Sequence, residues 1–315
     1  MLEFGIHPTT TIKDLKDFMT IIFVLVDDLY KEHIPDEIKY RRNKGTAVLS
    51  DSEIITIAIT GEVLTLYSEK SWFSFVSRNF RDLFPRMCER SRFNRVRRNR
   101  MSVINEIRER LNACVRVSQN NERIIDSFPL AVCKFGRARF CKTFKGYGAA
   151  YGYCPAKKET YYGYKVHVLC TLEGYVTDFM ITPAAVDDRT AVFELLGRYL
   201  HSSLVLIGDK GYTDRSLATE LQESYGITLI ALKRDNAKNP FPKSFRQLIF
   251  RLRRRIETSF SQLCDQFNVE RVTAKSFWGL QSRIVTKLLG FNLCCFVNQL
   301  LGEFVHLAQI KSLVF

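Results

Sequence analysis

The chain has 315 residues, of which 46% are hydrophobic, and a formal net charge of +14 at pH 7. This composition indicates a globular protein with a sizeable core, in one large domain or two ordinary ones. Lysine and arginine are spread through both halves, which favours a polyanionic partner, above all nucleic acid, because each phosphate contact releases counterions. A basic surface without a function is the alternative.

The cysteines and the apolar stretches indicate the cellular compartment in which the protein is expected. The nine cysteines contain no C-x-x-C pair, so we expect reduced thiols in the cytosol rather than a zinc ribbon or a disulfide framework. The N-terminus lacks the basic and then apolar pattern of a signal peptide. The most apolar stretch, residues 284–301, contains Lys287, Asn292, Asn298 and Gln299, which predicts a buried helix rather than a membrane span.

The first part of the chain is predicted to be helical. Apolar residues recur at helical spacing over residues 11–32, and residues 50–66 form a second helix with Ser50 and Ser52 as candidate caps. Residues 71–83 form a third, aromatic and basic helix.

A longer helix is predicted over residues 90–116. Its apolar stripe consists of Phe93, Val96, Val103, Ile104, Ile107 and Leu111. Arg95, Arg97 and Arg98 lie off this stripe or at its edge, together with Arg92, whereas Arg100 falls on it. We expect Arg95, Arg97, Arg98 and Arg100 to contact DNA phosphates, with a merely solvated charged face as the alternative.

The polar segment SQNNE, residues 118–122, predicts a boundary between a helical DNA-binding region, 1–120, and a second domain, 121–315. Beyond it the periodicity changes, and helices and strands are predicted in the order β-β-β-α-β-α-β-α, a mixed sheet with helices on its faces. The strands are 123–133, 161–170, 174–183, 203–209 and 227–233, and the helices are 187–200, 213–226 and 244–267. The fold class is therefore α/β.

Two aspartates lie where strands of this sheet are predicted to end or to be buried. Asp126 lies inside the run IIDSFPL, and Asp209 follows LVLIG. A buried carboxylate is costly unless it is paired or binds a metal, and functional groups collect at the carboxyl ends of strands in an open sheet. Each acid alone has an ordinary alternative, as an N-cap, a surface ion pair or a solvated loop acid.

The last helix supplies a third acid. On a helical wheel, Glu257 lies about 110° from the centre of the apolar stripe, so it can face a cleft while its helix packs on the core. Asp126, Asp209 and Glu257 form a candidate all-oxygen site for Mg²⁺, with Mn²⁺ as a substitute. Two such ions activate the attacking oxygen and stabilise the leaving oxygen of a phosphodiester displacement.

These residues carry a family resemblance. The order of elements is similar to the ribonuclease-H-like fold. The motifs DSFPL (126–130), GDKGY (208–212) and RRRIETSFSQL (253–263) resemble the three acidic motifs of DDE transposases from bacterial insertion sequences, above all those of the insertion sequence 982 group. The similarity covers residues 120–300.

The resemblance implies that Asp126, Asp209 and Glu257 bind the metal ions and catalyse DNA cleavage and strand transfer. It implies double-stranded DNA as the partner, both at the element ends and at the target, no membrane, and a homodimer or larger assembly on DNA. The expected location is the bacterial cytoplasm, in association with the nucleoid.

The last motif departs from the family pattern of Tyr, Arg, Glu and Lys. The aligned residues are Phe250, Arg253, Glu257 and Cys264, so the tyrosine and the lysine are absent, which puts one DNA contact in doubt. Arg253 could bind a phosphate near the scissile bond or form an ion pair with Glu257. Lys210 and Tyr212 are expected near the same phosphate.

Residues 134–165 are predicted to be a flexible insertion between the first two strands. Basic residues, among them Lys157, Lys158 and Lys165, alternate there with Phe, Tyr and Gly, which suits a DNA backbone and exposed bases. A solvated loop is the alternative.

Other polar residues have ordinary interpretations. Asp187 and Asp188 resemble metal ligands, but Asp188 before a helix is more simply an N-cap. His167 is more simply a structural residue of its strand.

Two other functions explain part of these observations. A ribonuclease-H-like nuclease would share the three acids without needing the arginine-dense helix. A non-catalytic DNA-binding protein derived from a transposase would explain the charge and leave the three acids without a role.

Overall fold

The computed structural model describes residues 12, 14–42, 45–64, 66, 68–199, 202–232, 241–302, 307 and 310–313. The residues on which the signal-peptide prediction rests lie outside this part of the chain, as do residues 11, 13, 65, 200 and 233 of the predicted elements.

The order of elements matches most of the sequence prediction. The helices are α1 (Leu15–His33), α2 (Asp36–Lys39), α3 (Asp51–Val63), α4 (Glu69–Asn79), α5 (Arg90–Asn99), α6 (Met101–Cys114), α7 (Lys142–Lys145), α8 (Asp188–Leu196), α9 (Arg215–Tyr225), α10 (Lys243–Asp265) and α11 (Phe277–Leu301). The strands are β1 (Glu122–Ala131), β2 (Ala150–Cys154), β3 (Glu159–Cys170), β4 (Val176–Pro183), β5 (Val205–Gly208) and β6 (Thr228–Ala231).

The N-terminal helices begin at polar caps. The Ser50 side chain accepts a hydrogen bond from the Glu53 amide, and the Glu53 carboxylate accepts one from the Ser50 amide, which completes a capping box at the start of α3. The prediction of Ser50 as a cap is confirmed. Ser52 is instead buried within the first turn of that helix.

The prediction of a single helix over residues 90–116 is wrong. Two helices occupy the region, and Arg100, with φ −100° and ψ 13°, ends α5 and precedes α6. The Arg100 guanidinium lies 3.3 Å from the buried carboxylate of Asp51. The break therefore falls at the arginine that lay on the predicted apolar stripe, and this arginine has a buried partner.

The strands form one mixed six-stranded sheet in the order β2-β3-β1-β5-β6, with β4 also paired to β3. Strand β1 is antiparallel to β3 and parallel to β5, and β6 is parallel to β5. All five predicted strands are present, and the α/β class is confirmed. The finer prediction of a ribonuclease-H-like topology stays a prediction.

The segment predicted as a flexible loop, residues 134–165, has regular structure. It contains a 3-10 helix at Phe135–Phe140, the short helix α7, strand β2 and the first part of β3. Strand β2 pairs with β3 from Ala150 opposite Gly163 to Cys154 opposite Glu159. The sequence pattern missed β2 because AYGYC is short and contains a glycine, which weakens a strand signal.

Helices cover both faces of the sheet. On one face, Ile125 and Leu169 pack with Val192 of α8 and Leu217 of α9 in one buried cluster. On the other face, Phe128 meets Phe260 of α10 edge-on, with ring centroids 5.3 Å apart. Asp126 and Phe128 are two residues apart on β1, so their side chains point to the same face as each other.

The chain divides into two compact units. The first consists of residues 1–115, 262–269 and 278–315, and the second of residues 116–261 and 270–277. The division near residue 115 lies close to the predicted boundary at 120. At the other end it differs from the prediction, because most of α11 belongs with the N-terminal helices rather than with the sheet.

Helix α11 belongs to the buried interior of the first unit. It is the one helix of the described residues long and apolar enough to cross a membrane, and 78% of its apolar window is buried. A core helix meets the same criteria of length and composition. The predicted burial is observed, and it includes the polar side chains of Lys287, Asn292 and Asn298.

A buried charge cluster joins α11 to the N-terminal helices. Glu62 pairs with Lys287 and with Arg283, whose Nη2 lies 3.0 Å from the carboxylate. Glu69 accepts hydrogen bonds from Arg97 at 2.6 Å and Arg283 at 2.9 Å. Burial alone would raise the pKa of Glu62, but the charges of Lys287, Arg283 and Arg97 outweigh it and hold the pKa below its usual value.

We predict that Glu62→Gln strongly destabilises the protein. The variant leaves three buried cations without their shared anion, and breaking a buried ion pair costs about 3 kcal/mol or more. Urea unfolding of both proteins measures the effect. The matched control is Glu32→Gln, at a side chain that is 61% exposed, which should change the free energy of unfolding by less than about 0.5 kcal/mol. Equal unfolding midpoints for wild type and Glu62→Gln would contradict the prediction.

Candidate functional site

Two of the predicted acids lie side by side just beyond the point where the parallel pairing of β1 and β5 ends. Strands β1 and β5 pair from Glu122 opposite Val205 to Ile124 opposite Ile207. Extending this register by two residues brings Asp126 opposite Asp209. The structure thus brings together two carboxylates that are 83 residues apart in the sequence, at the edge of the sheet where α/β proteins bind ligands.

The environment of Asp126 disfavours a negative charge. The pKa of its carboxyl group is raised to about 6, mainly by burial and also by the charges of Asp209 and Asp188. The Ser127 amide, 2.8 Å away, and the guanidinium of Arg253 oppose this shift. Two carboxylates at one site repel each other, and a divalent cation that takes oxygen ligands relieves the repulsion. The donor set of Asp126 and Asp209 therefore fits a hard cation.

Helix α10 delivers Arg253 to this site. The helix is held against the sheet by Phe260 on Phe128 and by Ser259, whose hydroxyl donates a 2.7 Å hydrogen bond to the Gly174 carbonyl. Arg253 lies less than two turns before these contacts. Its Nη2 is 3.6 Å from Oδ2 of Asp126, a looser approach than a direct hydrogen bond.

The Arg253 guanidinium retains unused hydrogen-bonding capacity. Its side chain is 14% exposed, and in the described part of the chain its Nε is buried without a hydrogen-bond partner. Two partners were predicted for Arg253, a DNA phosphate and Glu257. The structure shows a third, Asp126. A phosphate oxygen at the site would satisfy the remaining donors of the guanidinium.

The third predicted acid, Glu257, is exposed on α10. It lies four residues after Arg253, and so one turn further along the same flank of the helix. Among the described residues, no group of three or more His, Cys, Asp or Glu is arranged to hold a metal ion. Asp126 and Asp209 are thus brought together, whereas the role of Glu257 as their partner stays a prediction.

The motif GDKGY has a local structural explanation. Asp209 ends β5 and caps a short 3-10 helix, accepting a 2.7 Å hydrogen bond from the Gly211 amide. A Cβ at Gly208 would lie 2.9 Å from the Tyr212 ring, and a Cβ at Gly211 would lie 2.9 Å from Oδ1 of Asp209. Both glycines are needed for this close turn, and Lys210 between them is exposed.

Tyr212 does not fit its predicted place beside a DNA phosphate. Its side chain is 1% exposed and packs in the core between the sheet and α8 and α9. Burial, aided by the charges of Asp188 and Asp126, raises the pKa of its hydroxyl well above the usual value. The tyrosine of the motif therefore supports the loop that carries Asp209 and does not contact solvent.

The prediction that Asp188 caps α8 is wrong. Asp187 is the cap, since its side chain accepts a 2.9 Å hydrogen bond from the Arg189 amide. Asp188 instead accepts a hydrogen bond from Lys165 at 2.6 Å and lies 3.8 Å from Nδ1 of the fully buried His167. Burial lowers the pKa of His167 to about 4, so His167 is neutral at pH 7 and structural, as predicted.

The position of Asp188 next to the site was not predicted from the sequence. Its charge contributes to the raised pKa of Asp126. The doubled aspartate of PAAVDDRTA was the available signal, but the pattern does not tell which of two adjacent acids caps a helix.

The predicted arginine contacts of the first unit divide into two pairs. Arg95 and Arg98 are exposed on α5. Arg97 is 4% exposed and binds Glu69, and the Arg100 side chain is 16% exposed and pairs with Asp51. The prediction of DNA contact does not fit Arg97, because its charge is neutralised in the protein interior, and Arg100 has little surface to offer.

The three predicted lysine contacts of the second unit also differ from one another. Lys157 is exposed and pairs with Glu270. Lys158 is exposed, with a positive φ of 50° in the turn between β2 and β3. Lys165 is partly buried and binds Asp188. Lys165 therefore belongs to the acidic site, whereas Lys157 and Lys158 lie with the basic segment before β3.

The fold and the site define an α/β protein with two acids gathered where the parallel pairing of its central strands ends. The family model described as Transposase DDE domain matches residues 118–293, which is more than half of the chain and includes Asp126, Asp209 and Glu257. The chain therefore belongs to the Transposase DDE domain family. It is a transposase.

One solved structure is similar in outline. The cryo-EM structure of a piggyBac transposase synaptic complex with hairpin DNA aligns over 96% of this chain and 79% of that chain, with 15% sequence identity and a TM-score of 0.47. No curated protein matches the sequence.

We predict that Asp126→Asn stabilises the protein in the absence of divalent cations. Ionising Asp126 in the folded state costs free energy, because burial raises its pKa from 3.8 to about 6. The folded state therefore binds the proton more tightly than the unfolded state between these two values. The contribution of Asp126 to the free energy of unfolding of the wild type therefore falls as the pH rises from 3.8 to about 6. The loss is complete near pH 7.

Thermal unfolding in EDTA measures the difference between the two proteins. Asp126→Asn should exceed wild type by on the order of 2 kcal/mol at pH 7.5 and by much less at pH 3.5. The matched control is Asp187→Asn, because hydrogen bonds from Arg189 hold the pKa of Asp187 at about 2, and removing that charge should not stabilise the protein. A constant difference between wild type and Asp126→Asn across this pH range would contradict the prediction.

Proposed function

We propose that this transposase cleaves DNA at the ends of a bacterial insertion sequence of the 982 group and transfers the strands to target DNA. The observation that carries the proposal is that Asp126 and Asp209 lie near each other, just beyond the paired part of two parallel strands and within the part of the chain that matches the transposase domain. GDKGY and the Arg253 and Glu257 helix support the narrower group assignment.

Asp126, Asp209 and Glu257 would hold the divalent cation, Mg²⁺ or Mn²⁺. When bound, the cation supplies Lewis-acid chemistry for an in-line exchange of phosphodiester bonds. The two aspartates provide oxygen ligands whose mutual repulsion the cation offsets. Glu257 is exposed on α10 and would join them through its flexible side chain.

Arg253 would orient the scissile phosphate. Its guanidinium lies near Asp126, with Nη2 3.6 Å from that carboxylate, so the terminal N–H groups can donate to a phosphate oxygen at the same place. Lys210 is exposed next to Asp209, and its charge favours the approach of the DNA backbone. Arg253 and Lys210 would bind and position the DNA, while the carboxylates would bind the cation.

The first unit would bind double-stranded DNA beside the cleaved end. Arg95 and Arg98 are exposed on α5, as are Arg90 and Arg92, next to an arginine that the unit uses internally. Joining two element ends requires more than one copy of the protein, so the active form would be a homodimer or a larger assembly on DNA. It would act in the bacterial cytoplasm, at the nucleoid.

We predict that Asp209→Asn abolishes cleavage and strand transfer on an element-end duplex in Mg²⁺. Asparagine keeps the size of the side chain and the bond from Gly211, but it removes the charge that a cation requires. The loss should exceed about 1,000-fold, which matches the loss of one strong charge-stabilising group. A denaturing gel of labelled DNA resolves the cleaved and joined strands.

Glu220→Gln is the matched control, because Glu220 is an exposed acid on α9 of the same unit. It should keep wild-type activity. Wild-type activity in Asp209→Asn would exclude the aspartate pair as the reaction site. Cleavage of RNA without cleavage of DNA would favour a nuclease.

We predict that Arg95→Ala with Arg98→Ala weakens duplex binding and lowers its dependence on salt. Each lost phosphate contact reduces the slope of log K against log salt by about 0.9. Fluorescence anisotropy from 50 to 300 mM salt measures this slope. Lys31→Ala, at a side chain that is 70% exposed on α1, serves as control and should leave the slope unchanged. An unchanged slope in the double variant would exclude Arg95 and Arg98 from the DNA interface.

A further inference from the structure

An aromatic and basic surface lies on the segment between β1 and β3, outside the acidic site. Phe135 is 55% exposed, Phe140 67%, Tyr147 60%, Tyr151 51% and Tyr153 61%. Much of the large apolar surface exposed in the described chain is thus concentrated within 19 residues, and all of it there is aromatic. We call these five side chains the aromatic platform.

The platform is fixed to the sheet by buried neighbours. Ala138 and Phe144 are buried, and they anchor the 3-10 helix that contains Phe135 and Phe140 and the helix α7 that precedes Tyr147. Tyr164 of β3 donates a 3.1 Å hydrogen bond to the Tyr147 carbonyl.

The two remaining rings stand on one face of a paired strand. Tyr151 and Tyr153 alternate with Gly152 on β2, so they project to the same side. Phe135 meets Tyr151 edge-on, with centroids 5.9 Å apart. The exposed rings therefore belong to an ordered surface.

Positive charge surrounds these rings. The exposed cations between residues 134 and 158 are Lys134, Arg137, Arg139, Lys142, Lys145, Lys157 and Lys158, and this stretch contains no Asp or Glu. Arg139 lies 4.7 Å from the centroid of the Phe140 ring, so part of the charge is stacked on the platform itself. A second copy of the chain would bring the same charge and be repelled, whereas a polyanion is attracted.

Exposed rings among cations match an unpaired nucleic acid strand rather than a duplex. Phosphates require only the cations, and the bases of a duplex keep their faces stacked on one another. A single strand offers free base faces, which stack on aromatic side chains without regard to sequence. The rings are the part of this surface that a duplex would leave unused.

The position of the platform sets a distance from the acids. Strand β1 runs from Asp126 to Ala131, about 17 Å at 3.3 Å per residue. Ala131 pairs with Gly163, which pairs on its other side with Ala150, next to Tyr151. The two intervening strand spacings add about 10 Å sideways, for a total of about 20 Å. A strand that rises 3.4 Å per nucleotide covers this distance in about six nucleotides.

We propose that the aromatic platform binds unpaired bases of a DNA strand about five or six nucleotides from the Asp126 and Asp209 site. This deepens the proposed function, on which it rests for the identity of the acidic site. The platform holds a locally single-stranded DNA end by base stacking, while duplex DNA is bound through phosphates.

The first test compares single-stranded and duplex DNA by fluorescence anisotropy, in EDTA, with a 15-nucleotide oligothymidine and a 15-base-pair duplex. Tyr151→Ala with Tyr153→Ala should weaken binding of the single strand by at least about tenfold, because each stacked base contributes roughly 5- to 100-fold. Duplex binding should change less than about twofold. Tyr151→Phe with Tyr153→Phe keeps the rings and should retain wild-type affinity for both DNAs.

Tyr40→Ala is the matched control, since Tyr40 is a tyrosine of the first unit that is 79% exposed. It should change neither affinity. Equal losses on single-stranded and duplex DNA in the alanine variant would overturn the proposal, as would a phenylalanine variant as weak as the alanine variant. Circular dichroism confirms that each variant folds.

A second test locates the bases. A duplex with a single-stranded tail carries 2-aminopurine at one tail position at a time, and stacking on a ring quenches its fluorescence. Quenching that peaks about five or six nucleotides from the junction, and disappears in the alanine variant, supports the proposal. Uniform quenching along the tail would overturn it.

These measurements use no divalent cation, so they do not depend on cleavage. Asp209→Asn should bind the single strand as wild type does. Failure of stacking with intact cleavage overturns the platform alone, whereas intact stacking in a protein that cannot cleave DNA overturns only the proposed reaction.

Discussion

The structure of the site depends on the cost of burying one carboxylate beside another. Asp126 lies on the face of β1 that carries Phe128, next to Asp209 across a parallel strand pair. A core formed only for stability would place an apolar side chain at Asp126, as it does at Ile124 and Phe128. The repulsion between the two carboxylates is retained at the point where a cation would relieve it, and the other elements of the second unit hold the two acids there.

Helix α10 packs against the sheet and also carries a residue of the candidate site. One side contributes Ile256, Ser259 and Phe260 to contacts with the sheet, and the adjacent flank presents Arg253 to Asp126. Because packing and positioning residues share consecutive turns, a shift of this helix would move the guanidinium away from the carboxylate. The loop of GDKGY acts in the same way for Asp209, through the buried ring of Tyr212 and two glycines with no room for a side chain.

Most of these elements were predicted from the spacing of apolar residues, which recur every two positions in strands and every three to four positions in helices. The strands around Asp126 and Asp209 and the helix of Glu257 were found because each is long or apolar enough to impose its own periodicity. The patterns failed where a charged residue is buried. Arg97 resembles its exposed neighbours in the sequence, yet its partner Glu69 is 28 residues away, and Asp188 differs from Asp187 only in the direction of its side chain. Such pairings follow from tertiary structure, which local patterns do not contain.

The first unit contains segments from both the beginning and the end of the chain, and this affects when it can fold during synthesis. Its N-terminal helices leave the ribosome first, but Glu62 meets Arg283 and Lys287 only after nearly the whole chain has been translated. Until then the acid has Arg97 as its nearby cation, and the apolar surfaces that α11 covers are open to water. At about 5 to 20 residues per second this interval lasts on the order of 10 to 40 seconds. The second unit can therefore complete its sheet before the first unit is finished, and a copy of the protein truncated before α11 would lose the integrity of the unit encoded at its beginning.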